Sequence, residues 1–148
     1  MAKKITVIGG SGFVGTNLCR QLALKQQDFE IIDLKMSNQF PAKCKIADVR
    51  DAETLRNTIT GDVVVNLAAV HSDDVRDKTE YQRTNVDGAE NVVLVCEEKG
   101  IDKIVFTSTV AVYGFAEPGI DENGAINPFN EYGRTKFEAE EKLRNWHA

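Results

Sequence analysis

A glycine-rich turn directly behind a short apolar run is the feature that most limits how this chain can fold. The apolar run reads "KITVIG", and residues 9–15 then read "GGSGFVG". The run predicts a strand, and the apolar residues Val14, Leu18, Leu22 and Leu24 predict one side of a helix over residues 13–25. Glycine permits tight turns, and close packing of a helix on a strand. The segment therefore predicts a strand–turn–helix unit at the start of the fold.

Apolar runs of strand length alternate with segments of helical period along the rest of the chain. Strands are predicted at 29–34, 42–49, 62–70 and 101–109, and helices at 52–59 and 80–100. The run from Val63 to Leu67 lacks polar alternation, which is typical of a parallel strand covered on both faces. With right-handed crossovers, the sequence predicts an α/β fold, a Rossmann-type doubly wound parallel sheet of about five strands in the order 3-2-1-4-5.

Length and composition fit a single folded domain over residues 1–148. Hydrophobic residues make up 42% of the 148 residues and charged residues 28%. The net charge of -5, with both signs interspersed, gives no basic surface, so neither nucleic acid nor an anionic membrane is expected as a partner. Cys19, Cys44 and Cys96 lie in apolar runs, which indicates buried free thiols rather than disulfides or a metal site. A cytoplasmic location is predicted, because the first apolar run is too short for a signal peptide or a membrane span.

The glycine turn also predicts a nucleotide site. Its glycines at Gly9, Gly12 and Gly15 are a spacing variant of the dinucleotide fingerprint, which lies between a strand and a helix. The backbone N–H groups of Ser11, Gly12 and Phe13 would then face a pyrophosphate at the positive end of the helix. The alternative is that the three glycines only build a tight turn.

Asp33, which ends the second predicted strand, indicates which dinucleotide would bind. A carboxylate at this place can accept both hydroxyls of the adenosine ribose and would repel a 2′-phosphate. NAD is therefore favoured over NADP, although Lys35 lies close by in the sequence. The alternative is a solvated acid at the end of a strand.

The last predicted helix carries a tyrosine and a lysine four residues apart. Asn127 and Pro128 predict where this helix begins, as an N-cap and a proline in the first helical position. Tyr132 and Lys136 would project from one face of it. Free tyrosine is a poor base at neutral pH, and an ammonium one turn away favours the phenolate. The pair fits a proton-transfer group and its electrostatic partner.

Six motifs in this order carry a resemblance to a known family: "GGSGFVG", "IADVRD", "NLAAV", "TNVDGAENVV", "FTSTVAVYG" and "YGRTK". From Ile5 to about Leu143 the chain resembles the extended short-chain dehydrogenase/reductases, the NAD-dependent epimerase/dehydratase family that acts on nucleotide sugars. The resemblance implies that Tyr132 removes a proton from a sugar hydroxyl and that Thr109 donates a hydrogen bond to that oxygen. Lys136 would also hold the nicotinamide ribose. Thr109 as an ordinary strand former is the alternative.

The resemblance also implies which residues bind NAD. Asp48 would accept a hydrogen bond from the adenine amino group beside Val49, and residues 67–69 would run beside the ribose and pyrophosphate. Asn85 would brace the active-site end of the sheet, or it bonds only to backbone. No metal site is implied. The implied cofactor-binding residues are Gly9, Ser11, Gly12, Phe13, Val14, Gly15, Asp33, Asp48, Val49, Leu67, Ala68, Ala69, Asn85, Ser108, Tyr132 and Lys136.

Two departures from the family narrow the prediction. Val110 and Ala111 stand where the sugar 4,6-dehydratases carry an Asp-Glu pair, so 4-epimerase, reductase or dehydrogenase chemistry is favoured over dehydration. The family's C-terminal substrate domain is expected to be absent, and little sugar turnover is expected from the 148-residue chain alone, because positioning contributes much of an enzyme's rate.

Three classes of protein remain open. The first is the N-terminal portion of an enzyme whose partner is a nucleotide sugar. The second is a truncated, non-catalytic protein that binds NAD and covers its fifth strand in a homodimer. The third is an interaction module with neither site occupied.

Overall fold

The structure, a computed structural model, describes residues 3–72 and 74–147, and five strands in them form one parallel sheet. The strands β1 to β5 are Ile5–Ile8, Phe29–Asp33, Cys44–Ile46, Val63–Asn66 and Ile104–Phe106. Their order is β3-β2-β1-β4-β5, with every neighbouring pair parallel. The predicted Rossmann-type sheet and its strand order are confirmed. The strand order reverses between β1 and β4, where ligands bind in open sheets of this kind.

In the described part of the chain, five α-helices connect and cover the strands. The helices α1 to α5 are Phe13–Leu24, Ala52–Thr58, Thr79–Tyr81, Gly88–Lys99 and Glu131–His147. Short 3₁₀ turns occupy Pro41–Lys43 and Val110–Tyr113. The single helix predicted over residues 80–100 is interrupted, because Gln82–Asp87 between α3 and α4 is π-helical. A π turn holds one residue more than an α turn, and such segments occur often at functional sites.

Apolar side chains fill both faces of the sheet, because successive residues of a strand point to opposite sides. Val7 pairs with Ile31, and Ile8 pairs with Ile32. The first pair lies on one face of the sheet and the second pair on the other face. One layer packs β1, β2 and β4 against α2 and α4, through Ile8, Ile32, Val64, Leu55, Val92 and Val95. The other packs β1 and β2 against α1, through Val7, Ile31, Phe29 and Cys19. Helices on both faces make the sheet doubly wound.

The predicted apolar side of α1 is wrong at two positions. Val14 is 58% exposed and Leu24 is 75% exposed. Gly15 is buried tightly against the glycine turn, and this contact sets the rotation of the helix about its axis. The face that packs on the sheet therefore follows the spacing i, i+3, i+4 and i+7, and consists of Gly15, Leu18, Cys19 and Leu22.

The predicted start of the last helix is also wrong, by three residues. Helix α5 begins at Glu131, and Asn130 caps it: its Oδ1 accepts from the Gly133 N–H at 2.8 Å, and its carbonyl oxygen accepts from the Arg134 N–H at 3.0 Å. Asn127 instead donates its N–H to the Val112 carbonyl oxygen at 2.9 Å and so closes the loop before the helix. The shift places Tyr132 in the first turn of α5.

A buried carboxylate lies at the amino ends of the strands, opposite the edge where ligands bind. The Glu30 carboxylate accepts hydrogen bonds from Lys4 Nζ at 3.0 Å, Lys45 Nζ at 2.8 Å and the hydroxyls of Thr6 and Thr60 at 2.7 Å. Burial would raise the pKa of Glu30, but these hydrogen bonds outweigh it and lower that pKa to about 2. Glu30 is therefore an ionised, fully partnered group inside the fold.

The predicted free thiols are buried at two of three positions. Cys19 and Cys96 are fully buried, and burial raises the pKa of each thiol to about 11. Cys44 is only half-buried, because β3 is an edge strand. Among the described residues, no helix is both long and apolar enough to cross a membrane.

Candidate cofactor and active site

The glycine turn joins β1, α1 and the end of β4 without room for side chains. Gly9 has φ +78°, and a Cβ there would lie 3.0 Å from both the Ala68 nitrogen and the Leu67 carbonyl carbon. A Cβ on Gly15 would stand 2.4 Å from the Gly9 carbonyl oxygen. Both distances are shorter than an ordinary contact, so only glycine allows this packing. The turn thereby brings the start of α1 to the carboxyl edge of the sheet.

The N-terminus of α1 has no side-chain cap. Its N-cap is Gly12, and its first turn contains no acidic residue. Helix α2 differs, because the Asp51 side chain accepts from the N–H groups of Glu53 at 2.9 Å and Thr54 at 3.2 Å. First-turn N–H groups lack partners within the helix and carry partial positive charge. The beginning of α1 is therefore suited to a phosphate group.

Asp33 bonds to the glycine turn, which differs in part from the prediction. Its Oδ2 accepts from the Ser11 N–H at 3.0 Å, and its Oδ1 accepts from the Lys35 N–H at 3.2 Å. The Gly12 N–H donates to the Gly9 carbonyl oxygen at 3.2 Å. The N–H groups of Ser11 and Gly12, which were predicted to face a pyrophosphate, are thus engaged within the protein. A carboxylate has about four acceptor positions, so Asp33 retains capacity for ribose hydroxyls.

A cavity of about 330 Å³ lies where the carboxyl ends of β1 to β4 converge. Its size is within the usual range for a small-ligand site. Seven of its fifteen described lining residues were predicted to bind the cofactor: Gly9, Asp33, Asp48, Val49, Leu67, Ala68 and Ala69. His71, Arg50, Glu80 and Thr84 also line it. The cavity collects the residues predicted for the adenosine end of NAD.

Three residues that line this cavity form a chain of ion pairs. This chain was not predicted from the sequence. The Arg50 guanidinium bonds to Asp48, with Nη2 to Oδ2 at 2.6 Å, and its Nη1 bonds to Glu80 Oε2 at 2.7 Å. The hydrogen bonds from Arg50 hold the pKa of Asp48 below its ordinary value. Asp48 is therefore ionised, but Arg50 already makes four hydrogen bonds to its two oxygens, so an adenine amino group would replace one of them. The Arg in "ADVRD", two residues after Asp48, was the available signal.

Thr109 and the start of α5 meet at the end of β5. The Thr109 Oγ1 accepts from the Ala111 N–H at 3.2 Å and so caps the 3₁₀ turn Val110–Tyr113. A Cβ on Gly133 would stand 2.5 Å from the Ala111 carbonyl oxygen, so the first turn of α5 packs directly on this turn. The segment that carries Tyr132 thus lies beside the segment that carries Thr109. Ser108, one residue earlier, is exposed.

Lys136 is a buried amine one helical turn after Tyr132. Only 1% of it is exposed, and its Nζ lies 3.9 Å from the centre of the Phe106 ring. Burial lowers the pKa of Lys136 to about 8, although the Glu140 charge opposes this shift. Contact with an aromatic face stabilises the cationic form. Phe106, the last residue of β5, lies two residues before Ser108. It was not singled out from the sequence.

Asn85 connects the segment after β4 to helix α5. Its Oδ1 accepts from the Val70 N–H at 2.8 Å, and its Nδ2 donates to the Val70 carbonyl oxygen at 3.0 Å and to the Thr135 Oγ1 at 3.0 Å. The side chain is 2% exposed. Asn85 thus ties the segment after β4 to α5, and its direct contact with NAD stays a prediction. Within residues 3–72 and 74–147, no group of acidic, histidine or cysteine side chains is arranged to hold a metal ion.

Comparisons with known proteins found a matching family and similar chains. The model of the NAD dependent epimerase/dehydratase family matches residues 5–148. The chain is 43% identical to an N-acetyl-alpha-D-glucosaminyl-diphospho-ditrans,octacis-undecaprenol 4-epimerase of Escherichia coli O157:H7, over 99% of this chain and 44% of that protein. The chain spans about half the length of the relatives it matches.

Two solved structures share the fold and hold NAD. A UDP-glucose 4-epimerase from Brucella ovis in complex with NAD has a TM-score of 0.89 and 30% identity, over 98% of this chain and 48% of that one. WbmG of Bordetella bronchiseptica, in complex with NAD and UDP, has a TM-score of 0.84 and 26% identity, over 97% and 50% of the two chains. NAD is therefore confirmed as the family's cofactor.

Proposed function

Because the chain belongs to the NAD-dependent epimerase/dehydratase family, we propose that it forms the NAD-binding and hydride-transfer domain of a sugar 4-epimerase. The observation that carries the proposal is the cavity at the switch point of the sheet, which gathers Asp33, Asp48 and the small residues Ala68 and Ala69 around the glycine turn. The two carboxylates suit the ribose and the adenine, and the small side chains leave room for the rest of a dinucleotide.

The residues present fit NAD along the adenosine half of the site. Asp33 would accept hydrogen bonds from the ribose hydroxyls, and Asp48 would accept one from the adenine amino group in place of one from Arg50. The uncapped start of α1 would bind the pyrophosphate. Lys136, at the other end of the sheet's edge, would hold the nicotinamide ribose. When bound, NAD supplies a hydride acceptor.

The chain's own residues would perform the proton chemistry. The Tyr132 phenolate, favoured by the Lys136 ammonium one turn later, would take the proton from the sugar hydroxyl at its Oη and become a neutral phenol. Thr109 donates a hydrogen bond to the same sugar oxygen. The N-terminus of α5, close to Tyr132, contributes a favourable field for the phenolate. When the hydride returns to the opposite face of the sugar, Oη gives the proton back.

The proposed substrate is a sugar joined to a diphosphate. One relative is named for a sugar on diphospho-undecaprenol, another for UDP-glucose, and WbmG was solved with UDP. A diphosphate is common to these names, and the first two also name the sugar joined to it. Val110, which is 82% exposed, and Ala111 supply neither acid nor base beside Thr109, so elimination of water is disfavoured.

Calorimetry with NAD tests the cofactor half of the proposal. We expect binding with a Kd on the order of micromolar, and weaker binding of NADP because Asp33 repels the 2′-phosphate. ADP serves as a probe of the adenosine half alone. An absence of both heat and thermal stabilisation at millimolar NAD would contradict the proposal.

Turnover distinguishes this proposal from a non-catalytic chain that binds NAD. UDP-glucose and N-acetylglucosaminyl diphospho-undecaprenol are incubated with the chain and NAD, and Tyr132→Phe is the matched control. Slow epimerisation that is lost in Tyr132→Phe supports a catalytic domain and shows which carrier is used. NAD binding without turnover of either sugar is expected of this chain alone under both alternatives, because positioning contributes much of an enzyme's rate, so only turnover decides between them.

The last part of the proposal is that two copies of the chain form a homodimer in the cytoplasm. Within the described residues, β5 has β4 as its one strand neighbour, and Val105 on it is 43% exposed. An edge strand of this kind can pair with a second copy. Sedimentation equilibrium measures the mass in solution, and a monomer at all concentrations would contradict this part.

A further inference from the structure

We propose that Thr135 is a positioning residue, which ties the helix of Tyr132 and Lys136 to the cofactor segment through Asn85. The inference rests on the proposed function, because it assigns a role within the same site. It is carried by three hydrogen bonds between residues that are far apart in the sequence, of which the one between Asn85 and Thr135 is buried and the other two are partly buried. Neither the tyrosine–lysine spacing nor the comparisons assign a role to Thr135.

Thr135 is fully buried and uses its hydroxyl in two directions. Its Oγ1 donates to the Glu131 carbonyl oxygen at 2.7 Å, one turn earlier in α5. The same oxygen accepts from the Asn85 Nδ2 at 3.0 Å, across the boundary between α5 and the π-helical segment. The first bond is local and available to any helical threonine. The second joins two elements and needs Asn85 at this place.

The other two hydrogen bonds of Asn85 fix a backbone segment of the cofactor cavity. They join both the N–H and the carbonyl oxygen of Val70, at 2.8 and 3.0 Å. Val70 directly follows Ala68 and Ala69, and all three line the cavity. Neither bond involves Thr135, so the cavity wall keeps both when the Thr135 hydroxyl is removed. The hydroxyl of Thr135 is the point at which α5 joins this network.

The position of Thr135 within α5 determines what it controls. It precedes Lys136 directly and lies one turn after Tyr132, while Gly133 on the same helix packs on Ala111. Two contacts on different sides of α5 leave the helix little freedom to rotate or slide. Small errors in the placement of reacting groups cost large factors in binding and rate, so such a double restraint has a functional value.

The test compares the affinity of the chain for NAD and for ADP by calorimetry. Thr135→Val keeps the β-branched shape and removes the hydroxyl, so the Asn85 Nδ2 loses a partner. We expect the affinity for NAD to fall by about tenfold, since its nicotinamide half depends on α5, and the affinity for ADP to change by less than about twofold. Thr135→Ser restores the hydroxyl and is expected to bind NAD within about threefold of the wild type.

Thr58→Val is the matched control. Thr58 on α2 makes the same local bond, from its hydroxyl to the Thr54 carbonyl oxygen at 2.7 Å, but lies away from the cavity. It should leave both affinities unchanged. If Thr135→Val does not fold, Thr135→Ala replaces it, because alanine favours the helix.

Three results would overturn the proposal: unchanged NAD affinity in Thr135→Val, equal losses for NAD and ADP, or no recovery in Thr135→Ser. A wild-type chain that binds neither ligand would contradict the proposed function before any variant is made, and this inference with it.

Discussion

Gly133 lies against Ala111 so closely that a Cβ at position 133 would stand 2.5 Å from the Ala111 carbonyl oxygen. The atom it would meet belongs to the backbone, which cannot swing aside as a flexible side chain can. The first turn of α5 and the 3₁₀ turn after Thr109 are thereby held at a fixed distance. The two residues set the spacing between the segments that carry the proposed base and the proposed hydroxyl donor.

Gly133→Ala should therefore destabilise the chain although alanine is the better helix former. We expect the free energy of unfolding to fall by about 1–3 kcal/mol, because overpacking outweighs a gain of about 1 kcal/mol in helix propensity. Urea unfolding followed by circular dichroism measures it. Glu141→Ala, an exposed position on the same helix, is the control and should change stability by less than about 1 kcal/mol. A variant as stable as the wild type would contradict this packing.

Asp33→Asn tests the choice of cofactor. The amide removes the charge that accepts ribose hydroxyls and repels a 2′-phosphate. We expect the affinity for NAD to fall by about tenfold to a hundredfold, while the affinity for NADP stays the same or rises. The preference for NAD over NADP should therefore become smaller. Calorimetry with both cofactors measures the ratio. Asp28→Asn is the control, since that exposed acid precedes β2 and pairs with Lys43 instead; a similar loss there would mean a general charge effect.

Lys136→Met should stabilise the fold at neutral pH. The pKa of Lys136 is about 8 in the folded chain and 10.5 by its ordinary value, so burial of the ammonium opposes folding below about pH 8. Between those values the unfolded chain binds the additional proton, and raising the pH stabilises the wild type. We expect the variant to be more stable by about 1–3 kcal/mol near neutral pH, with a smaller difference at about pH 10.

Urea unfolding of both proteins at the two pH values measures this difference. A gap that stays constant between them would show that Lys136 is not the titrating group. The variant should also bind NAD more weakly, because the proposed contact with the nicotinamide ribose is lost.

Glu30→Gln should destabilise the opposite end of the sheet. The pKa of Glu30 is about 2 in the folded chain against 4.5 ordinarily, so its contribution is fully present above about pH 4.5 and is lost as the pH falls toward 2. We expect a loss of about 2–4 kcal/mol near neutral pH, because Lys4 and Lys45 lose their partner. Acid and urea unfolding should show the wild-type advantage shrinking below about pH 4.5. Glu122→Gln, on an exposed loop, should have no such effect.

The strand order and the place of the site could be predicted because they depend on local features. Uninterrupted apolar runs indicate parallel strands, and the glycine turn indicates which strand comes first. The resemblance to the family assigned Asp48 and residues 67–69 to NAD beside Asp33, and these residues line one cavity because the carboxyl ends of parallel strands meet at one edge. The predicted strand 42–49 is longer than β3 because its last residues turn away from the sheet to form that cavity.

Contacts between distant elements could not be predicted from the sequence. Asn127 and Asn130 offer the same local capping chemistry, and the hydrogen bond from Asn127 to Val112 decides between them. Likewise, Asn85 meets Thr135 only after α5 has packed against the π-helical segment. Nothing in "QRTNVD" distinguishes a π turn from an α turn. These features arise from tertiary packing, which periodicity does not describe.

The π-helical segment Gln82–Asp87 makes this helix tolerant of a change in chain length that would damage an ordinary one. Deletion of one residue there would let the turn close as a regular α-helix, and α4 could keep its place against the sheet. Asn85 would then be carried round the helix axis, away from Val70 and Thr135. Deletion of this additional residue would thus preserve the packing of α4 on the sheet but remove the hydrogen bonds that Asn85 makes in the site.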